Sequence, residues 1–155
     1  MGMAQTSATP RSKLSLPSDT DIVIERTFQA PRAVGWRAFT DPKLVPKWMA
    51  AGPYPMTGCK IDLRVGGRFE YAWGEHTMPG EFTAIDAPRS FSYVDTGPTP
   101  SRVTHTFTEV PGGTKVTVLA RMTSKAARDE MLAGGWTEGM DACYAALDKV
   151  LVGLA

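Results

Sequence analysis

From Asp21 the chain carries a dense apolar run. Ile22, Val23 and Ile24, followed by Arg26, Thr27 and Phe28 and closed by Ala30-Pro31, have the β-branched composition of a strand. Val34 and Ala38 then fall four apart, and Trp36 and Phe39 three apart, which predicts a short helix over 32–39. Pro31 suits the start of that helix, where a missing N–H costs nothing. Asp41-Pro42 offers an N-cap and first-turn proline for a second, very short helix, which Pro46 tightens or ends before Trp48.

Between Gly52 and Met122 the period shifts to two. Candidate strands span 56–64, 67–74, 79–87, 90–95, 102–110 and 114–121. Phe69, Tyr71 and Trp73 share one face opposite Arg68 and Glu70; Val103, His105 and Phe107 oppose Thr104, Thr106 and Thr108. Turns fall at Gly66-Gly67, at Asp86 to Arg89 and at Gly112-Gly113, and strands this close in sequence favour an antiparallel meander. After a short helical segment at 124–132, with Ser124 as its N-cap, and the pair Gly134-Gly135, Trp136, Met140, Cys143, Leu147 and Leu151 recur at helical spacing. The predicted class is α+β: a strand, two short helices, six strands of a curved antiparallel sheet, and a long C-terminal helix packed against it.

Composition narrows the partners. The 155 residues carry 17 Lys+Arg against 16 Asp+Glu, a formal charge of +1, which gives no electrostatic footing for nucleic acid or an anionic membrane. The polar stretch 1–13 reads as a disordered arm, Leu14 and Leu16 as a packed lead-in, and 14–155 as a single domain. No apolar stretch approaches the roughly 18 residues of a membrane span. The N-terminus lacks the apolar core of a signal peptide, so a cytoplasmic location is expected. Cys59 and Cys143 lie far apart in sequence, form no CxxC motif and, with His76 and His105, show no metal-site spacing, so neither a metal nor a cofactor is expected.

Several segments together resemble a known superfamily. They are LPSDTDIVIERTFQAPRAVGWRAFTDP at 16–42, Trp48, CKIDLRVGGRF at 59–69, GEFTAIDAPRSFSY at 80–93, VTHTFTEVPGGTKVTVLARM at 103–122 and SKAARDEMLAGGWTEGMDACYAALDKVL at 124–151. In this order they are similar to the SRPBCC superfamily, the helix-grip fold of START-related and birch-pollen-allergen-like proteins. The nearest branch is that of the activator of the heat-shock-protein-90 ATPase. Where that family commonly has two adjacent Trp, this chain has Trp48-Met49. The resemblance implies a cavity between sheet and long helix, and it leaves the function open, because one fold hosts many activities.

Candidate ligand-binding residues are Trp48, Arg64, Tyr71, Trp73, Tyr93, His105, Phe107, Trp136 and Met140, an aromatic-rich set with few polar groups. The same aromatics could equally fill a core. His105, inward-facing on a central strand, is the best candidate for acid–base work, with nearby Tyr groups, or else a neutral core histidine or ligand-orienting group. His76, by contrast, reads as solvated surface at a hairpin tip. Arg64 shares a face with Asp62, which suits either a salt bridge supporting the turn or capture of an anionic ligand group. Glu81 and Asp95 add possible polar contacts. The charges at 124–130 read as a solvated helix start, and Gly134-Gly135 as a hinge that makes 125–135 a movable flap.

No GxSxG, HExxH, Walker or GxGxxG motif is present. The leading expectation is therefore a protein that binds a small hydrophobic or aromatic molecule. A cofactor-independent cyclase, dehydratase or hydrolase in the same cavity is the alternative, and co-chaperone-like stimulation of a chaperone ATPase a third. An exposed sheet edge leaves room for a homodimer.

Overall fold

Alternating apolar residues need a common face to bury, and here they find it on one side of a single sheet. The computed structural model describes residues 12–49, 55–98 and 100–154. Among these, the strands are β1 (Lys13–Ser15), β2 (Asp21–Phe28), β3 (Gly58–Ile61), β4 (Arg68–Trp73), β5 (His76–Asp86), β6 (Ser90–Asp95), β7 (Arg102–Val110) and β8 (Gly113–Arg121). They form one antiparallel sheet in the order β1-β2-β8-β7-β6-β5-β4-β3. The first long strand thus lies beside the last.

Register puts the apolar positions in rows across the sheet. One row runs Ile24, Val118, His105, Phe91 and Ile85; the next runs Ile22, Ala120, Val103, Tyr93 and Phe82. Between Phe82 and Ala84 the pairing of β5 with β6 shifts by one residue, a bulge that restores the inward face at Ile85 and adds to the bend. Gly80 matters for a different reason. It lies opposite Phe69, and a Cβ there would stand 2.1 Å from the Phe69 Cζ, so only glycine lets that ring lie across the strand.

Helix α1 (Arg32–Thr40) follows Pro31, which sits one residue before the helix as its N-cap. Asp41 ends α1, and its carboxylate accepts from the Lys43 N–H. The second short helix expected after it is a turn followed by a single 3-10 turn, Val45–Lys47, with Pro46 inside it. Helix α2 (Lys125–Ala133) is capped by the Ser124 hydroxyl, which accepts from the Ala127 N–H. Helix α3 (Trp136–Leu154) crosses the concave face and buries Cys143, Tyr144, Leu147 and Leu151. No helix among the described residues is long and apolar enough to cross a membrane.

Three details correct the sequence reading. Of the expected arm, Ser12 donates its N–H to Asp141 at 3.0 Å and Lys13 pairs with Glu25 in β1; residues 1–11 lie outside the described residues. Leu14 and Leu16 do not pack, being 42% and 45% exposed at the sheet's edge. Arg128 is not a solvated charge: it is buried, and its Nη1 donates to the Ser18 carbonyl at 2.6 Å, tying α2 to the loop before β2.

Candidate functional site

The two halves of the concave face differ. Along β2, β8 and β7, Ile22, Ile24, Val116, Val118 and Phe107 are sealed beneath Tyr144, Leu147 and Leu151 of α3. Along β3 to β6, Phe69, Phe82 and Phe91 are also buried, but the inward-facing Cys59, Ile61, Tyr71, Trp73, Met78 and Tyr93 are only half-buried. Trp136 and Met140, from the first turns of α3, are also half-buried and pack against the same core. Along α3, therefore, Cys143, Tyr144, Leu147 and Leu151 are buried, whereas Trp136 and Met140 in its first turns keep accessible surface.

Aromatic rings join these halves. Phe39 of α1 contacts Trp48 at 4.8 Å, Phe107 at 5.1 Å, His105 at 5.6 Å and Tyr144 at 6.2 Å between centroids. His105 stacks on Phe91 at 4.7 Å and lies 6.0 Å from Tyr93. Phe69 links Tyr93, at 4.8 Å, to Tyr71, at 5.0 Å. Tyr71 in turn meets Trp73 at 6.3 Å.

The polar atoms in this network are what set it apart from a plain core. His105 Nδ1 and the Tyr144 hydroxyl are buried without a hydrogen-bond partner among the described residues. Leaving such an atom unpaired costs roughly 1–3 kcal/mol. Burial also dictates protonation. It pushes the His105 imidazole down to about 3, so the ring is neutral at neutral pH. It raises the Tyr93 phenol, helped by the Asp95 carboxylate, and the Tyr71 phenol, helped by Tyr93 and Cys59. The Tyr144 phenol is raised by burial and then by Tyr93, so Tyr93 is a neighbour common to both other tyrosines. The Cys59 thiol is pushed up to about 11 by burial and by Asp41. The site thus offers neutral donors and acceptors, and a histidine held this far below neutral pH is a poor proton shuttle.

Each expected site residue can now be placed. Tyr71, Trp73, Tyr93, Trp136 and Met140 are half-buried against the core, and His105 is buried within it beside Phe91 and Tyr93. Trp48 and Phe107 are 2% and 1% exposed, part of the packed centre, and Trp48 Nε1 donates to the Ala38 carbonyl at 2.9 Å. Arg64 stands apart: 75% exposed in the β3–β4 connection, it donates through Nε to Asp62 at 2.8 Å. Glu81 pairs with Arg68 across the neighbouring strand. His76 is exposed beside the turn that joins β4 and β5.

Sequence reasoning missed Tyr144 and Arg26. The series Met140, Tyr144, Leu147, Leu151 has the same helical spacing as the one through Cys143, and the helix buries both residues. Arg26 falls on the inward alternation Ile22, Ile24, Arg26, Phe28, a pattern visible in the sequence. Its side chain is 2% exposed, its guanidinium lies 4.8 Å over the Phe28 ring, and Nη2 donates to Asp148 at 2.6 Å.

A separate open concavity of about 490 Å3 lies on the outside, between the start of α1 and the β7–β8 turn. Pro31, Arg32, Pro88 and Glu109 line it, the Arg32–Glu109 ion pair among them, and it includes none of the candidate residues. Its largest charges already neutralise one another.

Comparisons with known proteins agree with this architecture. A protein from Mycobacterium smegmatis superposes with a TM-score of 0.84 at 30% identity, over 94% of this chain and all of that one. A Rhodobacter sphaeroides protein gives 0.87 at 25% identity over the same shares, and one from Nitrosomonas europaea 0.82 at 20%, over 89% and 97%. No curated protein matches in sequence. The family model for Activator of Hsp90 ATPase homolog 1-like protein matches residues 29–152, so the chain belongs to that family, within the SRPBCC superfamily.

Proposed function

We propose that this protein binds a small hydrophobic or aromatic molecule between the concave sheet and the N-terminal half of α3. The observation that carries the reading is the juxtaposition of half-buried aromatic surface on Tyr71, Trp73 and Tyr93 with unpaired buried polar atoms on His105 and Tyr144. Small-molecule sites combine apolar walls with a few convergent polar groups. A ligand oxygen reaching His105 and Tyr144 would offset the cost of leaving them unpaired. Membership of a fold family compatible with small ligands supports the same reading.

The test is native mass spectrometry of the purified protein, before and after organic extraction, followed by tryptophan-fluorescence titration with the extracted compound. A co-purifying mass lost on extraction is expected, with weaker binding in Trp73→Ala and in Trp136→Ala. Unchanged affinity in both variants overturns the proposed location.

A further inference from the structure

Resting on that reading, we infer that the ligand is an uncharged aromatic molecule carrying a hydroxyl or carbonyl oxygen, held by His105 and Tyr144, and that the site rejects carboxylates. His105 and Tyr144 are 8% and 1% exposed, and each ends in a polar atom with no partner among the described residues. Phe39 contacts both rings, at 5.6 Å and 6.2 Å. A phenol both donates and accepts, and a neutral imidazole nitrogen does one or the other according to tautomer. Both groups can therefore pair with oxygen on a ligand.

The charges around the site point the same way. Asp95 acts on Tyr93, Asp141 on Tyr144, and Asp41 on Cys59, which pairs with Tyr71 across β3 and β4. All three are acidic. Among the described residues the cation acting on these groups is Arg26, near Tyr144, and Asp148 neutralises it. Its Nε and Nη1 have no partner among the described residues, so Arg26 is a route by which an anion could be held. A carboxylate entering here would shed its water among buried, uncharged side chains, and the nearby Arg26 is already paired with Asp148. A flat, uncharged ring would meet Tyr71, Trp73 and Tyr93 without that penalty.

Calorimetric titration at pH 7.5 with 2-naphthol, 2-naphthoate and naphthalene holds the ring system constant and changes only the polar group. The expected result is 2-naphthol binding about tenfold more tightly than either of the others. In Tyr144→Phe that preference over naphthalene collapses to near unity. The variant's Tm is unchanged or higher, because the lost hydroxyl had no partner; His105→Phe gives the same comparison should Tyr144→Phe fold poorly. If 2-naphthoate binds as tightly as 2-naphthol, and loses its affinity in Arg26→Met or not, the ligand class is overturned while the binding reading stands. Preference retained in both Tyr144→Phe and His105→Phe overturns the residue assignment. Saturable binding by none of the three overturns both readings.

Discussion

His105 lies flat against Phe91, ring centroids 4.7 Å apart and planes 13° from parallel, with its Nδ1 buried and unpaired among the described residues. Protonation in that setting would place a charge among Phe39, Phe91 and Tyr93, where burial strips it of water. Burial therefore lowers the imidazole to about 3 in the folded protein, against roughly 6.5 when unfolded. Between those values the unfolded chain binds the extra proton, so acid favours unfolding. Stability is full above about pH 6.5 and falls on acidification, approaching about 1.4 kcal/mol per pH unit from this group alone. Chemical denaturation from pH 6.5 to pH 5, above most carboxylate titrations, checks this. His105→Phe should flatten the slope, and an unchanged slope would refute the assignment.

Gly80 and Phe69 occupy the same space in the sheet. A methyl group at position 80 meets the Phe69 ring at 2.1 Å and 2.3 Å, and that ring is only 3% exposed, held against Tyr71, Phe82 and Tyr93. Gly80→Ala is expected to cost about 1–3 kcal/mol, as overpacking does. Gly80→Ala with Phe69→Leu should recover part of the loss, measured by urea denaturation.

Arg26 and Asp148 form an asymmetric pair, the guanidinium 2% exposed and the carboxylate 41%. Removing the acid leaves a buried cation, whereas replacing the cation by an apolar chain removes the problem. Asp148→Asn should cost about 2 kcal/mol, less than for a fully buried pair because Asp148 is partly solvated. Arg26→Met should change stability by less than about 1 kcal/mol. Equal losses in the two variants would show that the pair itself, rather than the stranded charge, sets the energy.

Gly135 separates α2 from α3 with φ of 88°, a left-handed conformation that L side chains adopt at a cost. Gly135→Ala should destabilise by about 1 kcal/mol. If residues 125–135 act as a flap, Arg128 is its latch, because Nη1 ties α2 to the Ser18 carbonyl. Arg128→Ala is then expected to raise both ligand association and dissociation rates several-fold in stopped-flow fluorescence. Unchanged rates would make α2 a fixed wall.

Much of the fold was legible because burial imposes periodicity. The alternation Val103, His105, Phe107 assigned three residues to the inward face of β7, and all three are buried there. The helical recurrence from Trp136 to Leu151 identified α3. The bulge between Phe82 and Ala84 was not legible, since a one-residue shift leaves no compositional mark. Nor was the burial of Arg128, whose partner Ser18 is 110 residues away.

The candidate site divides along the same line. Local pattern determined which side chains point inward, because a strand's side chains must alternate and a helix's must recur every three or four residues. It therefore named Tyr71, Trp73, Tyr93, His105, Trp136 and Met140. It could not tell Phe107, sealed in the centre, from Tyr93, which keeps accessible surface, because each sits on an equivalent inward position of its strand. That difference depends on how far each strand lies beneath α3 and on how the sheet bends away from it. Only the tertiary structure decided it, as it decided that Arg26 would meet Asp148, 122 residues away, and that His105 and Tyr144 would be buried without partners.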